Sequence, residues 1–223
     1  MPIGFRVLTR QRAVLAEHIE RYRDLPVANI SDSMQRMTAG GVGLRPFHRG
    51  GGLVGVALTV KCRPGDNLML HHALNIAEPG DVIVVDAGGD LTNALVGELM
   101  LAFAAKKQLA GVVINGAVRD TASIAANDFP VYARGVTHRG PYKNGPGEIN
   151  VPIAIDGMVI EPGDLIVGDA DGVLCVPFDQ VDAVYELASA KYRDEQAKLQ
   201  AISEGSNDRR WVLNALLALG CDL

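Results

Sequence analysis

The clearest hydrophobic pattern lies in the middle of the chain, where two short apolar runs flank a longer segment of helical spacing. The runs are DVIVVD (81–86) and GVVIN (111–115), and the segment between them is NALVGELMLAFAAKKQL (93–109), which is rich in good helix formers. A strand–helix–strand unit of this kind makes its two strands parallel, with a right-handed crossover. Both runs are apolar throughout, which predicts that helices or loops cover both faces of the sheet.

Weaker patterns predict the rest of the chain. Between 136 and 177, Gly, Pro and short Val/Ile runs predict short antiparallel strands packed onto the same core. The sequence EPGD occurs twice, at 78–81 and 161–164, but Pro-Gly-Asp before a strand is common turn chemistry and only weakly suggests duplication. The other predicted elements are a helix over 11–24, a short helix from Ser31 or Asp32 to Met37 ended by Gly40-Gly41, a strand over 52–62, a helix over 67–77 capped by Asp66, a helix over about 121–127, a strand over 130–135, and helices over 179–203 and 209–219.

Length and composition narrow the class of protein. The 223 residues suit one domain, with a core over 26–178 and a helical extension over 179–223. A net charge of −5 without any Lys/Arg block predicts no nucleic-acid partner. The three cysteines are far apart and form no CxxC motif, which predicts a reducing, cytoplasmic location without disulfides. No run of 18 apolar residues occurs, and we expect neither an export signal nor a membrane span.

Candidate chemistry lies where the two central strands end. Ligands of open parallel sheets bind beyond the carboxyl ends of the strands, and here those ends lead into Asp86–Asp90 and into Arg119-Asp120. If the intervening helix begins near Gly97, its free amides could hold a small carboxylate that Arg119 clamps from the other side. Asp120 and Glu98 offer hard oxygen ligands, which suit Mg²⁺ or Mn²⁺ better than Zn²⁺.

Structural roles remain open for the same residues. Asp120 could cap the helix that follows it, Arg119 could be solvated, and Glu98 could be an ordinary first-turn acid. Asp86 and Asp90 could be turn residues only. The adjacent His71 and His72 point about 100° apart on a helix, which argues against one shared metal and favours packing or a subunit interface.

The stretches GDVIVVDAGGD, GELM and GVVINGAVRD, in this order, resemble proteins related to regulator of ribonuclease activity A. That group includes class II aldolases acting on 4-hydroxy-4-methyl-2-oxoglutarate. The resemblance covers roughly residues 25–178, and its most specific part ends in Arg119-Asp120. It implies an α/β fold of the swivelling β/β/α type, with a parallel strand–helix–strand core, added antiparallel strands and C-terminal helices. It also implies homotrimers or dimers of trimers with active sites between neighbouring subunits.

The resemblance also implies roles for individual residues. Asp120 would contact the metal directly, and Glu98 would reach it through water. The substrate carboxylate would lie on Arg119 and on the amides of Gly97, Glu98, Leu99 and Met100. A further acid would come from the C-terminal helix of the neighbouring subunit, for which Glu195 is the candidate. The ribonuclease regulators lack the aspartate after the arginine, so Arg119-Asp120 favours the enzymatic branch.

The function implied is metal-dependent cleavage of a 4-hydroxy-2-oxo acid to pyruvate, with Mg²⁺ or Mn²⁺ as cofactor and oxaloacetate decarboxylation as a side activity. Two alternatives remain. A Schiff-base aldolase needs a desolvated lysine, for which Lys61 in ALTVKC is the candidate. A non-catalytic regulator would instead bind a ribonuclease or helicase partner.

Overall fold

The computed structural model of the chain describes residues 3–37 and 42–223. The strands are, in chain order, β1 Phe5–Val7, β2 Arg45–Pro46, β3 Leu53–Cys62, β4 Asp81–Asp86, β5 Ala94–Val96, β6 Gly111–Val118, β7 Val131–Val136, β8 Gly147–Ile149, β9 Ile153–Ile155, β10 Met158–Ile160, β11 Leu165–Gly168 and β12 Val173–Val176. The helices are α1 Ala16–Tyr22, α2 Val27–Ser33, α3 Leu68–Ile76, α4 Glu98–Lys106, α5 Thr121–Ala125, α6 Val181–Ser203 and α7 Arg210–Ala218, with a 3₁₀ turn at Phe178–Gln180.

The core of the fold is a parallel sheet of four strands, β3-β4-β6-β7, inside a larger mixed sheet. The predicted parallel pairing of the two central runs is confirmed, with Val82 opposite Gly111 and Asp86 opposite Asn115. Antiparallel strands are added at β3, which pairs with β11 along its first half and with β8 along its second. The predicted α/β architecture, with added antiparallel strands and C-terminal helices, is therefore confirmed.

Both faces of the central sheet are covered, as its apolar strands predict. On one face, α3 and α4 pack over alternate strand residues such as Val60, Ile83 and Ile114. On the other face, the antiparallel strands, α1, α2 and the first half of α6 pack over residues such as Val84 and Val113. The side chains of one strand therefore alternate between two separate cores.

The largest correction concerns residues 93–109, which we predicted as one helix. Ala94–Val96 instead forms β5, a buried strand paired in parallel with the last residues of β6, and α4 begins only at Glu98. The reason is that β6 continues to Val118 instead of ending at 115, and so offers a free edge. Apolar Ala-Leu-Val fits a buried strand as well as a helix, and this non-local pairing decides between them.

The N-terminal helices also differ from the prediction. The first helix spans Ala16–Tyr22, shorter than 11–24, and the second begins at Val27 after Pro26, so neither Ser31 nor Asp32 caps it. Proline fits the start of a helix because it has no N–H to satisfy, which explains the earlier start. The predicted end at Gly40-Gly41 lies outside the described residues. The remaining predicted helices agree with the structure to within about three residues at each end.

The two EPGD sequences form the same turn but lead into strands of opposite direction. The Glu78 amide donates to Asp81 at 2.9 Å, and the Glu161 amide donates to Asp164 at 2.8 Å. β4 then runs parallel to β3, whereas β11 runs antiparallel to it. The repeat therefore reflects shared turn chemistry, since both aspartates are buried acceptors of backbone amides.

The C-terminal end of the chain differs from the rest of the fold. No residue of α7 is buried, and Trp211, Leu213 and Leu217 are each more than half exposed. The preceding α6 packs against α2 through its first half, while its last residues are exposed. Within residues 3–37 and 42–223, no helix is both long enough and apolar enough to cross a membrane.

Candidate active site

Arg119 and Asp120 follow β6 directly and form the centre of the candidate site. Asp120 has a left-handed backbone conformation, with φ of 59°, and its Oδ2 accepts the Glu98 amide at 2.9 Å. The Arg119 Nε lies 3.8 Å from the same oxygen, and both side chains are more than 40% exposed. The Asp120 side chain makes no cap bond to α5, the helix that follows it. Its carboxylate therefore caps the neighbouring α4 and stays open to solvent.

Gly97 allows this close approach. A Cβ atom on Gly97 would lie 2.4 Å from the Asp120 Oδ2 and 3.0 Å from the Arg119 Cγ. The first distance is shorter than any real carbon–oxygen contact, so a side chain at this position would displace the carboxylate. The glycine at the start of α4 is thus part of the site geometry.

The amides from Gly97 to Met100 are only partly available for a ligand. The Glu98 amide donates to Asp120, and the Met100 amide donates to the Gly97 carbonyl at 3.1 Å. The amides of Gly97 and Leu99 donate to no acceptor in the described part of the chain. The predicted cradle of four amides is therefore reduced to two free donors at the positive end of the α4 dipole.

These groups line a cavity of about 330 Å³. The structure brings together the predicted residues Gly97, Glu98, Leu99, Met100, Arg119 and Asp120 around it. It adds residues that sequence reasoning missed, of which Asn67, His71 and Lys143 carry polar groups. Of these three residues, only His71 was considered in the sequence, because it lies on a predicted helix. The sequence pattern did not show that the His71 side of this helix borders the cavity.

Besides Arg119, the cavity is lined by two basic side chains, His71 and Lys143, which we call the basic wall. Lys143 is exposed and lies on the loop of residues 139–146 before β8, and His71 is half-buried on α3. Burial lowers the pKa of His71, and the nearby Lys143 charge lowers it further. Near neutral pH the wall therefore presents one lysine cation beside a neutral imidazole that can accept or donate a hydrogen bond.

The donor set at Asp120 fits a hard divalent cation. Asp120 Oδ1 makes no hydrogen bond within residues 3–37 and 42–223, and the Glu98 side chain is exposed beside it. Within that part of the chain, no group of three His, Cys, Asp or Glu side chains could hold a metal ion. Mg²⁺ and Mn²⁺ keep several water ligands and need only one or two protein carboxylates, so two acids from one chain are compatible with them.

Glu195 does not line this cavity in its own chain. Its carboxylate lies on α6, where it accepts Asn29 Nδ2 at 2.6 Å and pairs with Lys191 Nζ at 3.0 Å. The hydrogen bond from Asn29, followed by the contact with Lys191, lowers the pKa of Glu195, which keeps it ionised. Glu195 could thus reach an Arg119 cavity only in another copy of the chain.

The remaining candidate residues have structural surroundings. Asp86 Oδ1 accepts Asn115 Nδ2 at 2.9 Å and the Gly88 amide at 3.0 Å, and Asp90 accepts both the amide and the hydroxyl of Thr92. Lys61 alternates with Val60 and Cys62, which face α3, so it points to the opposite face of the sheet. Lys61 is also exposed, and this removes the desolvation that a Schiff-base lysine needs.

Comparisons with known proteins identify the family of the chain. Residues 27–175 match the RraA-like family model, described as Aldolase/RraA. A protein of Halalkalibacterium halodurans named "Putative 4-hydroxy-4-methyl-2-oxoglutarate aldolase" is 42% identical over 188 residues, covering 84% of this chain and 90% of the relative.

Solved structures show the same fold. An uncharacterized protein of Pseudomonas syringae pv. tomato matches with a TM-score of 0.80 and 28% identity, covering 90% of this chain and 94% of that one. The RNA-processing inhibitor RraA of Thermus thermophilus matches with a TM-score of 0.63 and 30% identity, covering 69% of this chain and 93% of that one. The family model and the relatives together place this chain in the RraA-like (Aldolase/RraA) family.

Proposed function

We propose that the protein is a divalent-metal-dependent aldolase that cleaves a 4-hydroxy-2-oxo acid with a second carboxylate, such as 4-hydroxy-4-methyl-2-oxoglutarate, and releases pyruvate. The observation that carries this proposal is the cavity itself. It brings a cation, two free amides and an open carboxylate together with the basic side chains of His71 and Lys143. The name of the 42% identical relative supports the same reaction class.

The cavity offers separate groups for the two carboxylates of such a substrate. Arg119 and the free amides of Gly97 and Leu99 would bind the carboxylate beside the 2-oxo group. Lys143 and His71 would face the second carboxylate. A guanidinium and a carboxylate about 4 Å apart attract each other by at most roughly 4 kcal/mol near a protein surface. Only the part of this energy that increases toward the transition state accelerates cleavage.

Cleavage breaks the C3–C4 bond, and its electron pair becomes the enolate of pyruvate while the C4 hydroxyl becomes a carbonyl. Asp120, with Glu98 through water, would hold Mg²⁺ or Mn²⁺, which when bound supplies a Lewis acid for the 2-oxo group. Arg119 adds a fixed positive charge beside the developing enolate. Glu98, exposed at the cavity, would orient the water that accepts the 4-hydroxyl proton, and a proton from water would then pass to C3 of the enolate to give pyruvate. The same stabilisation of an enolate predicts slow decarboxylation of oxaloacetate.

The direct test is a pyruvate-release assay coupled to lactate dehydrogenase, with a panel of 4-hydroxy-2-oxo acids and with oxaloacetate. We expect turnover with Mg²⁺ or Mn²⁺ that is lost with a chelator and restored by added metal. A protein that releases no pyruvate from any of these acids with metal present would refute the proposal. Borohydride trapping with pyruvate, which detects a Schiff base, should label nothing.

We further propose that Glu195 serves the site of a neighbouring subunit in a homotrimer or dimer of trimers. Glu195 does not line the cavity of its own chain, and its carboxylate is ionised and 41% exposed on α6. Mixed oligomers of Asp120→Asn and Glu195→Gln, each inactive alone, should regain part of the activity because some sites then contain both acids. Mixed oligomers that stay inactive would place Glu195 outside the site.

A non-catalytic regulator is the second candidate function. The observation in its favour is the similarity to an RNA-processing inhibitor, which covers 69% of this chain. Inactivity with every oxo acid, together with a stoichiometric protein partner in affinity purification, would favour this function. The open carboxylate of Asp120 favours the aldolase.

A further inference from the structure

Asp66 is a fully buried carboxylate that the proposed reaction does not use. Its Oδ1 accepts the Leu68 amide at 2.9 Å, at the start of α3. Its Oδ2 accepts the amides of Asn144 at 2.7 Å and Gly145 at 2.9 Å, and it lies 3.3 Å from an Arg63 guanidinium nitrogen. One side chain therefore joins two segments that are more than 70 residues apart in sequence.

Both of these segments carry walls of the cavity. α3 carries His71, and the 139–146 loop carries Lys143, the residue immediately before Asn144. Gly140, at the other end of this loop, lies beside Arg119, because a Cβ on Gly140 would be 3.3 Å from the Arg119 Nη1. Within this loop, the Asp66 side chain accepts only the amides of Asn144 and Gly145, so it holds the end of the loop that carries Lys143.

Asn67, the residue after Asp66, connects α3 and the 139–146 loop to β5. Asn67 is buried, and its backbone amide donates to the Tyr142 carbonyl at 3.0 Å. Its Nδ2 donates to the Leu95 carbonyl of β5 at 2.8 Å, two residues before Gly97. Its Oδ1 is buried beside the cavity without a partner in the described part of the chain. The pair Asp66-Asn67 therefore links α3, the 139–146 loop and the start of α4.

A carboxylate is needed at position 66 because both of its oxygens accept hydrogen bonds from backbone amides. An asparagine with its oxygen toward the loop would turn its NH₂ group toward the Leu68 amide, so that two donors would face each other. It would also remove the charge that pairs with Arg63. Asp66→Asn therefore preserves the shape of the side chain but loses hydrogen bonds to one of the two segments.

We propose that Asp66 is a positioning residue that holds Lys143 in the cavity and so sets the preference for substrates with a second carboxylate. This inference rests on the proposed aldolase function, since Lys143 is assigned there to the second carboxylate. Asp66 itself touches no substrate. Its effect should therefore appear in the binding of dicarboxylates and not in the chemical step.

The test compares kinetics with two ligands of different length. In Asp66→Asn we expect the KM for 4-hydroxy-4-methyl-2-oxoglutarate to rise about tenfold, as for a weakened hydrogen bond to a charged group. The kcat and the inhibition constant of pyruvate, which has only the first carboxylate, should stay within about twofold, well under that effect. Lys143→Met should show the same split. The double variant should be no worse than Lys143→Met alone, because Asp66 acts through that lysine.

Asp164→Asn is the matched control. Asp164 is equally buried and accepts the backbone amides of Glu161 and Phe178, but it lies on the β11 turn and does not line the cavity. It should lower the melting temperature as much as Asp66→Asn while leaving the KM unchanged. A purely structural role for Asp66 would instead give both variants the same kinetic profile.

Other outcomes separate the two proposals. Wild-type protein without pyruvate release contradicts the aldolase function, whereas an active wild type with an unchanged KM in Asp66→Asn contradicts only the positioning role. Additive effects in the double variant also contradict it. If Asp66→Asn does not fold, Lys143→Met decides: a raised KM with unchanged pyruvate inhibition supports the role, and an unchanged KM overturns it.

Discussion

Asp86 and Asp120 both follow the apolar run of a central parallel strand, yet their surroundings differ. Asp86 holds its own loop and the neighbouring Asn115, and it does not line the cavity. Asp120 has a left-handed backbone that turns its carboxylate onto the first amide of α4, beside Arg119 and open to solvent. The end of a strand is therefore insufficient to define a site, because the partners of the carboxylate decide whether it remains available to a ligand.

The largest expected effect is that of Asp120→Asn. The amide oxygen can still accept the Glu98 amide, but the charge that would hold a cation is gone. We expect kcat/KM to fall about a thousandfold or more, corresponding to several kcal/mol of lost stabilisation. The affinity for Mg²⁺, measured by calorimetry, should fall in parallel. If Asp120→Asn kept its metal-dependent activity, Asp120 would not be a metal ligand and would not differ in function from Asp86.

Gly97→Ala should have the next largest effect. The new Cβ would push away the Asp120 carboxylate and Arg119, and a displacement near 1 Å can cost about a hundredfold in rate. Gly52→Ala is a suitable control, because its Cβ would meet only the Gly168 carbonyl at an ordinary 3.5 Å. Pyruvate release by both variants measures the effect, and equal activities would show that the contact is unimportant.

The pH dependence of His71 should give a smaller effect. The pKa of His71 is below its usual value, so lowering the pH from 7.5 through that pKa adds a positive charge to the basic wall. The KM for a dicarboxylate substrate should therefore decrease several-fold over this window. In His71→Gln this decrease should disappear. Acid has the opposite effect on the stability of the fold. Because the pKa of His71 is lower in the folded chain, the unfolded chain binds this proton more readily, and the free energy of unfolding decreases as the pH falls below 6.5.

Asp86→Asn should have the smallest effect. Its carboxylate makes only hydrogen bonds within the fold, so kcat/KM should remain unchanged. Weakening these bonds should lower the free energy of unfolding by about 1 kcal/mol, which corresponds to a shift in Tm of roughly 2–4 °C. Thermal unfolding and the pyruvate assay test both statements. A large loss of activity would bring Asp86 into the site.

Local patterns predicted the elements whose partners are near in sequence. The strands β4 and β6, the helix between them and the charged pair at 119–120 were all recognisable from apolar periodicity and strand-end chemistry. β5 was not, because three apolar residues become a strand only where the edge of β6 is free. The periodicity of 93–109 contains no information about that edge.

The candidate site was predictable in part for the same reason. Residues 97–100 and 119–120 belong to one strand–helix–strand unit, so their proximity follows from the right-handed crossover. Lys143 comes from a loop that reaches the cavity through hydrogen bonds to Asp66, far away in sequence. No local pattern predicts that contact, and a lysine in a Gly/Pro-rich loop is usually solvated.

Trp211 is the single tryptophan of the chain, and it lies on the exposed helix α7, away from both cores. Intrinsic fluorescence excited at the indole band therefore reads the surroundings of the C-terminal helix alone. The emission should be that of a solvated indole in a free chain and should shift to the blue when another surface covers the helix. Folding or unfolding of the central sheet should change the emission of Trp211 very little. Tryptophan fluorescence can therefore follow assembly separately from the unfolding of the core.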